Sequence, residues 1–332
     1  MQRQGGIVPE GRILVTGGSG FIGSALIEKL SHFERLSLRV ALRRSAVHPP
    51  VRGDGAIVID DIGPDTAWRE ALAGVDHIVH LAGRVHVSTD AVPDAALEYH
   101  RINVLGTLNL ARQAAAARVR RFVFISSVKV NGEETLPDAP FRADDAPAPA
   151  DAYAASKREA EDALQQLAAE TDMQIVVIRP PLVYGPGVKA NFLRMMRWLR
   201  SGMPLPFGAV QNKRSLIFVD NLVDLLVTCI AHPAAANQVF LASDGEDLST
   251  AELLRRTGIA LGRPARLFAV PPPLLTTVAS LVGKADLARR LCGSLQVDIS
   301  KTRDLMDWVP PFSVDNGLRA TARHYLYVAG RY

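Results

Sequence analysis

The sequence has few cysteines and no block of like charges, and both absences exclude classes of protein. Its two cysteines, Cys229 and Cys292, do not have the spacing of a metal or redox motif, so we expect no metal site. Both lie among apolar neighbours, which predicts buried free thiols in a reducing compartment and a cytoplasmic protein. The 38 basic residues are nearly balanced by 34 acidic ones and form no Lys/Arg cluster, so we expect no nucleic-acid partner.

Long apolar runs are also scarce. Residues 1–10 are polar and contain no apolar core of a signal peptide. The most apolar tract, 267–282, contains three consecutive prolines and is too short to span a bilayer, so we expect no transmembrane segment. We interpret this tract as a helix of a substrate domain. The alternative is contact with a membrane surface or with a lipid-linked substrate.

Glycine, by contrast, is placed with regular spacing near the start of the chain. The apolar stretch 12–15 leads into Gly17, Gly20 and Gly23, and residues 24–30 have apolar positions at helical spacing. This pattern predicts a strand, a tight turn and a helix, in which glycines let the backbone approach a pyrophosphate at the helix N-terminus. It indicates a dinucleotide site, although an ordinary strand-to-helix turn can show the same spacing.

The end of the second predicted strand, 38–42, indicates which dinucleotide binds. An acidic residue at this place selects NAD by bonding the ribose 2′-OH, whereas this chain has Arg43 and Arg44. Arginines suit a 2′-phosphate, so NADP(H) is favoured and NAD(H) remains possible. The alternative is a solvated basic turn.

Two further strand ends extend the predicted cofactor site. After the strand 56–59, Asp61 is placed to accept a hydrogen bond from the adenine amine, and Ile62 to pack against the adenine. After the strand 77–81, the small residues 82–83 let the cofactor pass close to the backbone.

The region after the fourth strand contains two unusual features. The loop 84–90 lies above the carboxyl edge of the predicted sheet, where substrates bind, and His86 is its candidate ligand. Asn103 lies inside a predicted helix, 95–117, close to Gly106. This combination is unfavourable in a helix and indicates a bend or a site.

Strands and helices alternate up to Pro180 and less regularly afterwards. This predicts an α/β fold, a Rossmann-like doubly wound parallel sheet followed by a smaller α+β substrate lobe. We assign 11–180 to the NAD(P)-binding domain and expect 214–245 to return to it. Residues 181–213 and 246–330 would form the lobe.

Three residues predict chemistry at the sheet edge. Tyr153 and Lys157 are four positions apart and share one face of a helix, and Ser127 ends the fifth strand. A lysine ammonium near a tyrosine is expected to lower the tyrosine pKa, so that the phenol can exchange a proton with an alcohol or carbonyl oxygen. The alternative is a solvated helix face.

Together these motifs resemble those of a known family. The stretches that carry the resemblance are 16–23, 80–83, Asn103, 126–127, Tyr153 with Lys157, 179–187 and 214–220. The chain resembles extended short-chain dehydrogenases/reductases of the NAD-dependent epimerase/dehydratase family, which act on nucleotide sugars.

The resemblance implies roles for individual residues. Ser127 and Tyr153 would contact the C4 oxygen of the sugar, and Lys157 the cofactor ribose, while Asn191 and Arg214 would hold the diphosphate. Substrate binding is thus expected at His86, Ser127, Asn191 and Arg214. Cofactor binding is expected at Gly17, Gly20, Phe21, Ile22, Gly23, Arg43, Asp61, Ile62, Leu81, Ala82, Gly83, Asn103, Lys157 and Pro180. The helices at 95–117 and 151–169 would form a homodimer interface.

Departures from the family pattern narrow the expected reaction. Family dehydratases have an Asp-Glu pair where this chain has Val128 and Lys129, so dehydration is not expected. Because Arg43 favours NADPH, we predict a 4-keto reductase of UDP-N-acetylquinovosamine type, acting in surface polysaccharide or O-antigen biosynthesis. The alternative is a UDP-glucose or UDP-N-acetylglucosamine 4-epimerase with tightly held NAD. A non-catalytic NADP(H) sensor is a third possibility, but it would be expected to lack Tyr153 or Lys157.

Overall fold

The computed structural model describes residues 8–44, 55–85, 95–136, 138–281, 283 and 285–329. Within them, a parallel seven-stranded sheet forms the centre of the molecule. Its strands are β1 (Gly11–Thr16), β2 (Leu36–Arg43), β3 (Gly55–Ile59), β4 (His77–His80), β5 (Arg121–Ile125), β6 (Gln174–Arg179) and β9 (Gln238–Leu241). Their spatial order is β3-β2-β1-β4-β5-β6-β9, so the chain changes direction between β1 and β4. This confirms the predicted Rossmann-like doubly wound fold and places a ligand crevice at that reversal.

Alternating apolar residues explain why helices cover both faces of the sheet. Along β1, Ile13 and Val15 belong to one buried cluster, and Leu14 belongs to the other. Successive side chains of a strand point to opposite faces, so each face has its own core. On one side the core includes α1 (Phe21–Leu30) and α7 (Val219–Ala231). On the other it includes α2 (Arg69–Leu72), α4 (Thr107–Ala116) and α5 (Ala152–Glu170).

The predicted helix around Asn103 has an irregular centre. It begins as α3 (Ala95–Tyr99), continues as a π-helical segment (His100–Gly106) and ends as α4. In such a segment the backbone hydrogen bonds join residues five apart instead of four, and segments of this kind often mark a functional site. The irregularity expected from the sequence is therefore present.

A smaller sheet and several helices cover one end of the central sheet. The small sheet has the order β10-β8-β7 and consists of β7 (Leu182–Tyr184), β8 (Arg214–Phe218) and β10 (Asp247–Leu248). The helices are α6 (Ala190–Ser201), α8 (Thr250–Ala260), α9 (Pro272–Leu281), α10 (Ala285–Cys292), α11 (Ser300–Met306) and α12 (Val314–Ala329). The tract 267–282 thus contains a helix, and no helix of the described residues is long and apolar enough to cross a membrane.

The segment 214–245 is divided between the two sheets. Its strand β8 lies in the small sheet, whereas α7 packs on the central sheet and β9 is the edge strand of that sheet. The division into a cofactor domain and a substrate lobe stays a prediction. Of the two thiols, Cys229 is buried as expected, but Cys292 is only partly buried because it ends the peripheral helix α10.

Candidate active site

The glycine turn has the backbone geometry that the sequence predicts. Gly17 has a φ of +73°, and a side chain there would lie 2.7 Å from the Ala82 amide nitrogen. A side chain at Gly23 would lie 2.2 Å from the Gly17 carbonyl oxygen, so neither position accepts another residue without movement of backbone. Gly20 precedes α1, and no described side chain caps that helix. Its first N–H groups are therefore open to an anion, which fits a dinucleotide pyrophosphate.

The first turn of α1 contributes two of the predicted cofactor residues. Phe21 and Ile22 are partly buried and pack against the core on this face of the sheet. They fix the direction of the helix that begins at the glycine turn.

Gly83, Asn103 and Lys157 meet at the end of β4. A side chain on Gly83 would lie 3.1 Å from the Asn103 Oδ1 and 3.4 Å from the Lys157 Nζ. Asn103 accepts a hydrogen bond from the Arg84 amide (2.7 Å), and its own amide donates to the Arg84 carbonyl and to the Ser156 Oγ (both 3.0 Å). Asn103 thus ties the loop after β4 to α5. Leu81 and Ala82 are partly exposed beside the glycine turn.

The predicted adenine end is a network of surface charges. Asp61 pairs with Arg101 at 3.0 Å, and Arg44 pairs with Asp60 at 3.1 Å, whereas Arg43 is exposed. Burial by itself raises the pKa of Asp61, but the Ile62 amide and Arg101 outweigh it and hold the pKa below its usual value.

Ile62 itself is buried among core residues of this face. A side chain on Gly106 would lie 2.9 Å from its Cγ2, so the residue packs against the π-helical segment. Its contacts in the structure are with the protein core, and its role beside adenine stays a prediction.

The predicted catalytic residues are close together at the carboxyl edge of the sheet. Ser127 follows β5 and its hydroxyl is close enough to Tyr153 to influence the pKa of the phenol, whose ring lies edge-on to Tyr99 at 5.9 Å. Lys157 is buried, and its Nζ donates to the Ile125 carbonyl at 2.8 Å and lies 4.4 Å from the centre of the Phe124 ring. The structure therefore groups the three side chains as the sequence predicts.

The prediction that Lys157 lowers the pKa of Tyr153 is wrong for this structure. Burial and the Asp151 carboxylate raise the pKa of Tyr153 to about 12, and the nearby Ser127 hydroxyl opposes them. Lys157 is directed towards the Ile125 carbonyl, and burial lowers its own pKa to about 8, against the opposing charge of Glu161. Its ammonium is thus held by the backbone rather than by the phenol.

A salt-bridge network that the sequence does not predict lies beside Tyr153. Asp151 caps α5 by accepting from the Ala154 amide at 2.7 Å, and its other oxygen pairs with the Lys129 ammonium. Lys129 also pairs with Glu133 at 3.3 Å. The signal available in the sequence was the lysine in place of the family's acidic residue, but its partner is 22 residues away.

Pro180 connects β6 to the turn that follows Ser127. Its carbonyl oxygen accepts a hydrogen bond from the Val128 amide at 3.0 Å, and the residue is buried. Pro180 thereby fixes the position of that turn in the site.

Arg214 is held at the start of β8 by backbone oxygens. Its Nη1 donates to the carbonyls of Arg290 (2.8 Å) and Gly293 (3.1 Å). Burial lowers the pKa of Arg214, the Glu134 charge opposes this, and Arg290 adds to it. Because carbonyls orient the guanidinium without neutralising it, its positive charge remains available for an anion.

The other predicted substrate residues differ in what the structure says of them. Asn191 is exposed in the first turn of α6, next to Ala190, whose φ of +54° is strained for a residue with a side chain. His86 lies outside the described residues.

Comparison with known proteins gives the same family over most of the chain. Residues 13–242 match the NAD dependent epimerase/dehydratase family. The chain is 46% identical over 321 residues to a protein of Vibrio cholerae named UDP-glucose 4-epimerase, covering 96% of this chain and 97% of the relative.

Solved structures show the same fold. UDP-glucuronic acid 4-epimerase from Bacillus cereus with NAD superimposes with a TM-score of 0.75 at 20% identity, covering 96% of this chain and 99% of that one. RMD from Pseudomonas aeruginosa with NADPH superimposes with a TM-score of 0.70 at 23% identity, covering 95% and 99%. The glycine turn, the grouped Ser127, Tyr153 and Lys157, and these similarities lead to one conclusion: the chain is an NAD-dependent enzyme of the extended short-chain dehydrogenase/reductase type and belongs to the NAD-dependent epimerase/dehydratase family.

Proposed function

We propose that the protein interconverts UDP-hexoses at C4, as a UDP-glucose or UDP-N-acetylglucosamine 4-epimerase that keeps its NAD bound. The observation that carries this proposal is the 46% identity to a protein named UDP-glucose 4-epimerase over 96% of the chain. This order reverses the preference for a reductase that Arg43 suggests in the sequence. The grouping of Ser127, Tyr153 and Lys157 at one sheet edge supports either reaction.

In this proposal Tyr153 moves the proton on the C4 oxygen of the sugar. Bound oxidised nicotinamide supplies the hydride acceptor for C4 and a positive charge near the reacting oxygen. With its pKa raised to about 12, the Tyr153 phenol is protonated at neutral pH and suited to give a proton to a keto oxygen. To take a proton from the sugar hydroxyl it needs an additional positive charge nearby, so binding of the oxidised cofactor and loss of that proton would be coupled.

Ser127 and Lys157 would assist Tyr153 without exchanging the hydride. The Ser127 hydroxyl, which lies near the phenol, can bond the C4 oxygen and fix its distance from Tyr153. Lys157 lies next to Gly83 and would hold the ribose of the cofactor there. For an epimerase, the keto sugar must then rotate within the site while its diphosphate remains bound.

Arg214 and Asn191 are the groups that we assign to that diphosphate. The guanidinium of Arg214 is oriented by two carbonyls, and Asn191 is exposed at the first turn of α6. A planar cation matches the oxygens of a pyrophosphate.

The second candidate is reduction of a UDP-4-keto sugar with NADPH. Arg43, exposed at the end of β2, favours it because an arginine there suits the 2′-phosphate of NADPH. The two reactions differ in whether the cofactor leaves after each turnover.

One experiment separates the two candidates. The purified protein is incubated with UDP-glucose or UDP-N-acetylglucosamine without added cofactor, and separately with UDP-4-keto-6-deoxy-N-acetylglucosamine and NADPH. Formation of the 4-epimer in the first mixture supports the epimerase, and consumption of NADPH only in the second supports the reductase. If Tyr153→Phe is as active as the unchanged protein in both mixtures, the assigned proton transfer is wrong.

The remaining assignments are part of the same proposal. We infer a homodimer through α5 and the helix that contains Asn103, and a cytoplasmic location that fits a UDP-sugar supply. Light scattering on the purified protein tests the first, and cell fractionation tests the second.

A further inference from the structure

An exposed apolar surface lies in the predicted substrate lobe. Its main element is α9, which packs against α10, and none of its ten residues, all of them described, is buried. We call this surface the α9 face and define it by five side chains that are at least half exposed: Met203, Phe268, Leu274, Val278 and Leu281. Leu281 alone is 82% exposed, so the helix presents apolar residues to solvent at considerable cost in hydration.

Backbone hydrogen bonds join the parts of the α9 face. The Leu205 amide donates to the Arg266 carbonyl at 2.9 Å, and the Phe268 amide donates to the Leu205 carbonyl at 3.1 Å. Met203 and Phe268 are therefore on adjacent segments, and α9 begins four residues after Phe268. Within α9, Leu274, Val278 and Leu281 recur at helical spacing and therefore share one side of the helix.

The segments that carry the α9 face are rich in basic residues. The two segments that contribute to it and to α10, 190–208 and 263–292, contain eight Lys and Arg and a single Asp. The whole chain has 38 basic and 34 acidic residues, so acidic residues outnumber basic ones elsewhere. Arg197 and Arg266 are among the exposed cations of these segments.

We propose that the α9 face docks on an anionic lipid bilayer. Exposed apolar side chains among arginines are what a bilayer surface binds, because the apolar groups enter the interface and the cations face lipid phosphates. A second copy of this chain fits less well, since the same positive face would be repeated on both sides of the contact. A nucleic acid would use the cations but leave the apolar side chains without a partner.

Docking would bring the candidate diphosphate site close to the bilayer. α10 packs against α9, and the carbonyl of its Arg290 orients Arg214. Arg289 of the same helix lies 3.9 Å from Glu134, in the loop that follows Ser127. The inference goes beyond the proposed function and does not depend on which sugar is bound.

Vesicle co-sedimentation of the full-length protein tests the proposal. One set of vesicles contains phosphatidylglycerol and phosphatidylethanolamine, and the other contains phosphatidylcholine only. We expect binding to the anionic set, weakened by added salt, and little binding to the neutral set. The double variant Leu274→Glu with Val278→Glu should lose at least tenfold in vesicle partitioning, because two charges would enter the interface.

Two further variants separate the contributions. Arg197→Glu with Arg266→Glu should lower partitioning to anionic vesicles by about fivefold or more per reversed charge. Leu305→Glu, at a 40% exposed position of α11 outside the face, should bind vesicles like the unchanged protein. Circular dichroism and NAD binding show whether each variant is folded.

Three results would overturn the proposal. The first is that the unchanged protein fails to sediment with anionic vesicles at low salt. The second is that the folded variants of the α9 face bind these vesicles as well as Leu305→Glu does. The third is that light scattering shows self-association that the Leu274/Val278 variant abolishes, which assigns the face to a second copy.

Discussion

The predicted cofactor side and the proposed substrate side of the site are built in different ways. On the cofactor side, the turn is mainly local, because Gly23 lies against the Gly17 carbonyl six positions earlier, and Gly17 also lies against the backbone of Leu81 and Ala82 after the neighbouring strand. On the substrate side, Arg214 is oriented by carbonyls that follow it by 76 and 79 residues. The geometry of a site formed by residues close in sequence is determined by that local sequence. The geometry of a site formed by residues far apart in sequence is determined by how whole helices and strands pack.

We expect the residues between the two sides, around Tyr153, to be the most sensitive to substitution. Tyr153→Phe removes the proton-exchanging hydroxyl and should lower kcat by about 10²- to 10⁴-fold, the usual contribution of a positioned acid or base. Cofactor affinity should stay within a few-fold, because the ring and its contact with Tyr99 remain. Steady-state kinetics and NAD titration measure both quantities.

Tyr99→Phe is the matched control, since it removes the hydroxyl of the neighbouring ring. That hydroxyl donates to the Val85 carbonyl at 3.2 Å and has no assigned chemistry. Equal losses in the two variants would show that packing, and not proton transfer, explains the effect.

On the substrate side, Arg214→Ala should raise KM by roughly 10- to 100-fold. Hydrogen bonds to a charged group contribute about 1.5–3 kcal/mol, and no described carboxylate lies within ion-pair distance of this guanidinium. The neighbouring Lys213→Ala is the control, because Lys213 pairs with Asp138 on the surface and should change KM little. If the two variants behave alike, the diphosphate is bound elsewhere.

On the cofactor side, Gly23→Ala should weaken NAD retention and lower stability. The added methyl group would meet the Gly17 carbonyl oxygen at 2.2 Å, and overpacking of this kind costs about 1–3 kcal/mol. Gly20→Ala adds the same group 3.1 Å from that oxygen, with an ordinary φ of −79°, and should have a smaller effect. Thermal unfolding with and without NAD compares them, and a larger loss for Gly20→Ala would contradict the geometry.

The salt bridge beside Tyr153 should influence the pH dependence. In Lys129→Met the Asp151 carboxylate loses its partner, so its charge disfavours the phenolate more strongly and the pKa of Tyr153 rises further. A reaction limited by the phenolate should then need a higher pH, and kcat at neutral pH should fall by about two- to tenfold. Lys129→Arg keeps the charge and should restore the profile. An unchanged profile in Lys129→Met would mean that Asp151 does not act on the phenol.

The sequence predicted the parts of the site that depend on local pattern. The strands predicted at 38–42, 56–59 and 77–81 are present as β2, β3 and β4 with bounds within two residues, and the glycine turn has the expected conformation. The grouping of Tyr153 with Ser127 also follows from topology, because Ser127 follows the carboxyl end of β5 and α5, the helix that connects β5 to β6, begins at the same edge of the sheet. Side-chain networks were not predictable in the same way.

The pKa of Tyr153 shows why. Whether this pKa is raised or lowered depends on where the Lys157 ammonium points and on the charge of Asp151, and helical spacing predicts neither. The split of 214–245 between two sheets likewise depends on pairing between distant strands, which a single sequence does not reveal.

We expect the smallest effect on the predicted cofactor side, at the exposed end of β2. Arg43 is exposed, so Arg43→Asp should leave folding unchanged and shift the ratio of NADP to NAD affinity by several-fold towards NAD. Arg44→Asp is the matched control, because Arg44 already pairs with Asp60 at an exposed position and is less free to bind a phosphate. Titration of each variant with both cofactors measures the ratio. If Arg44→Asp shifts this affinity ratio more than Arg43→Asp does, then Arg44 rather than Arg43 binds the 2′-phosphate. Cofactor choice would then depend on an ion pair even on the side of the site that is formed by local sequence.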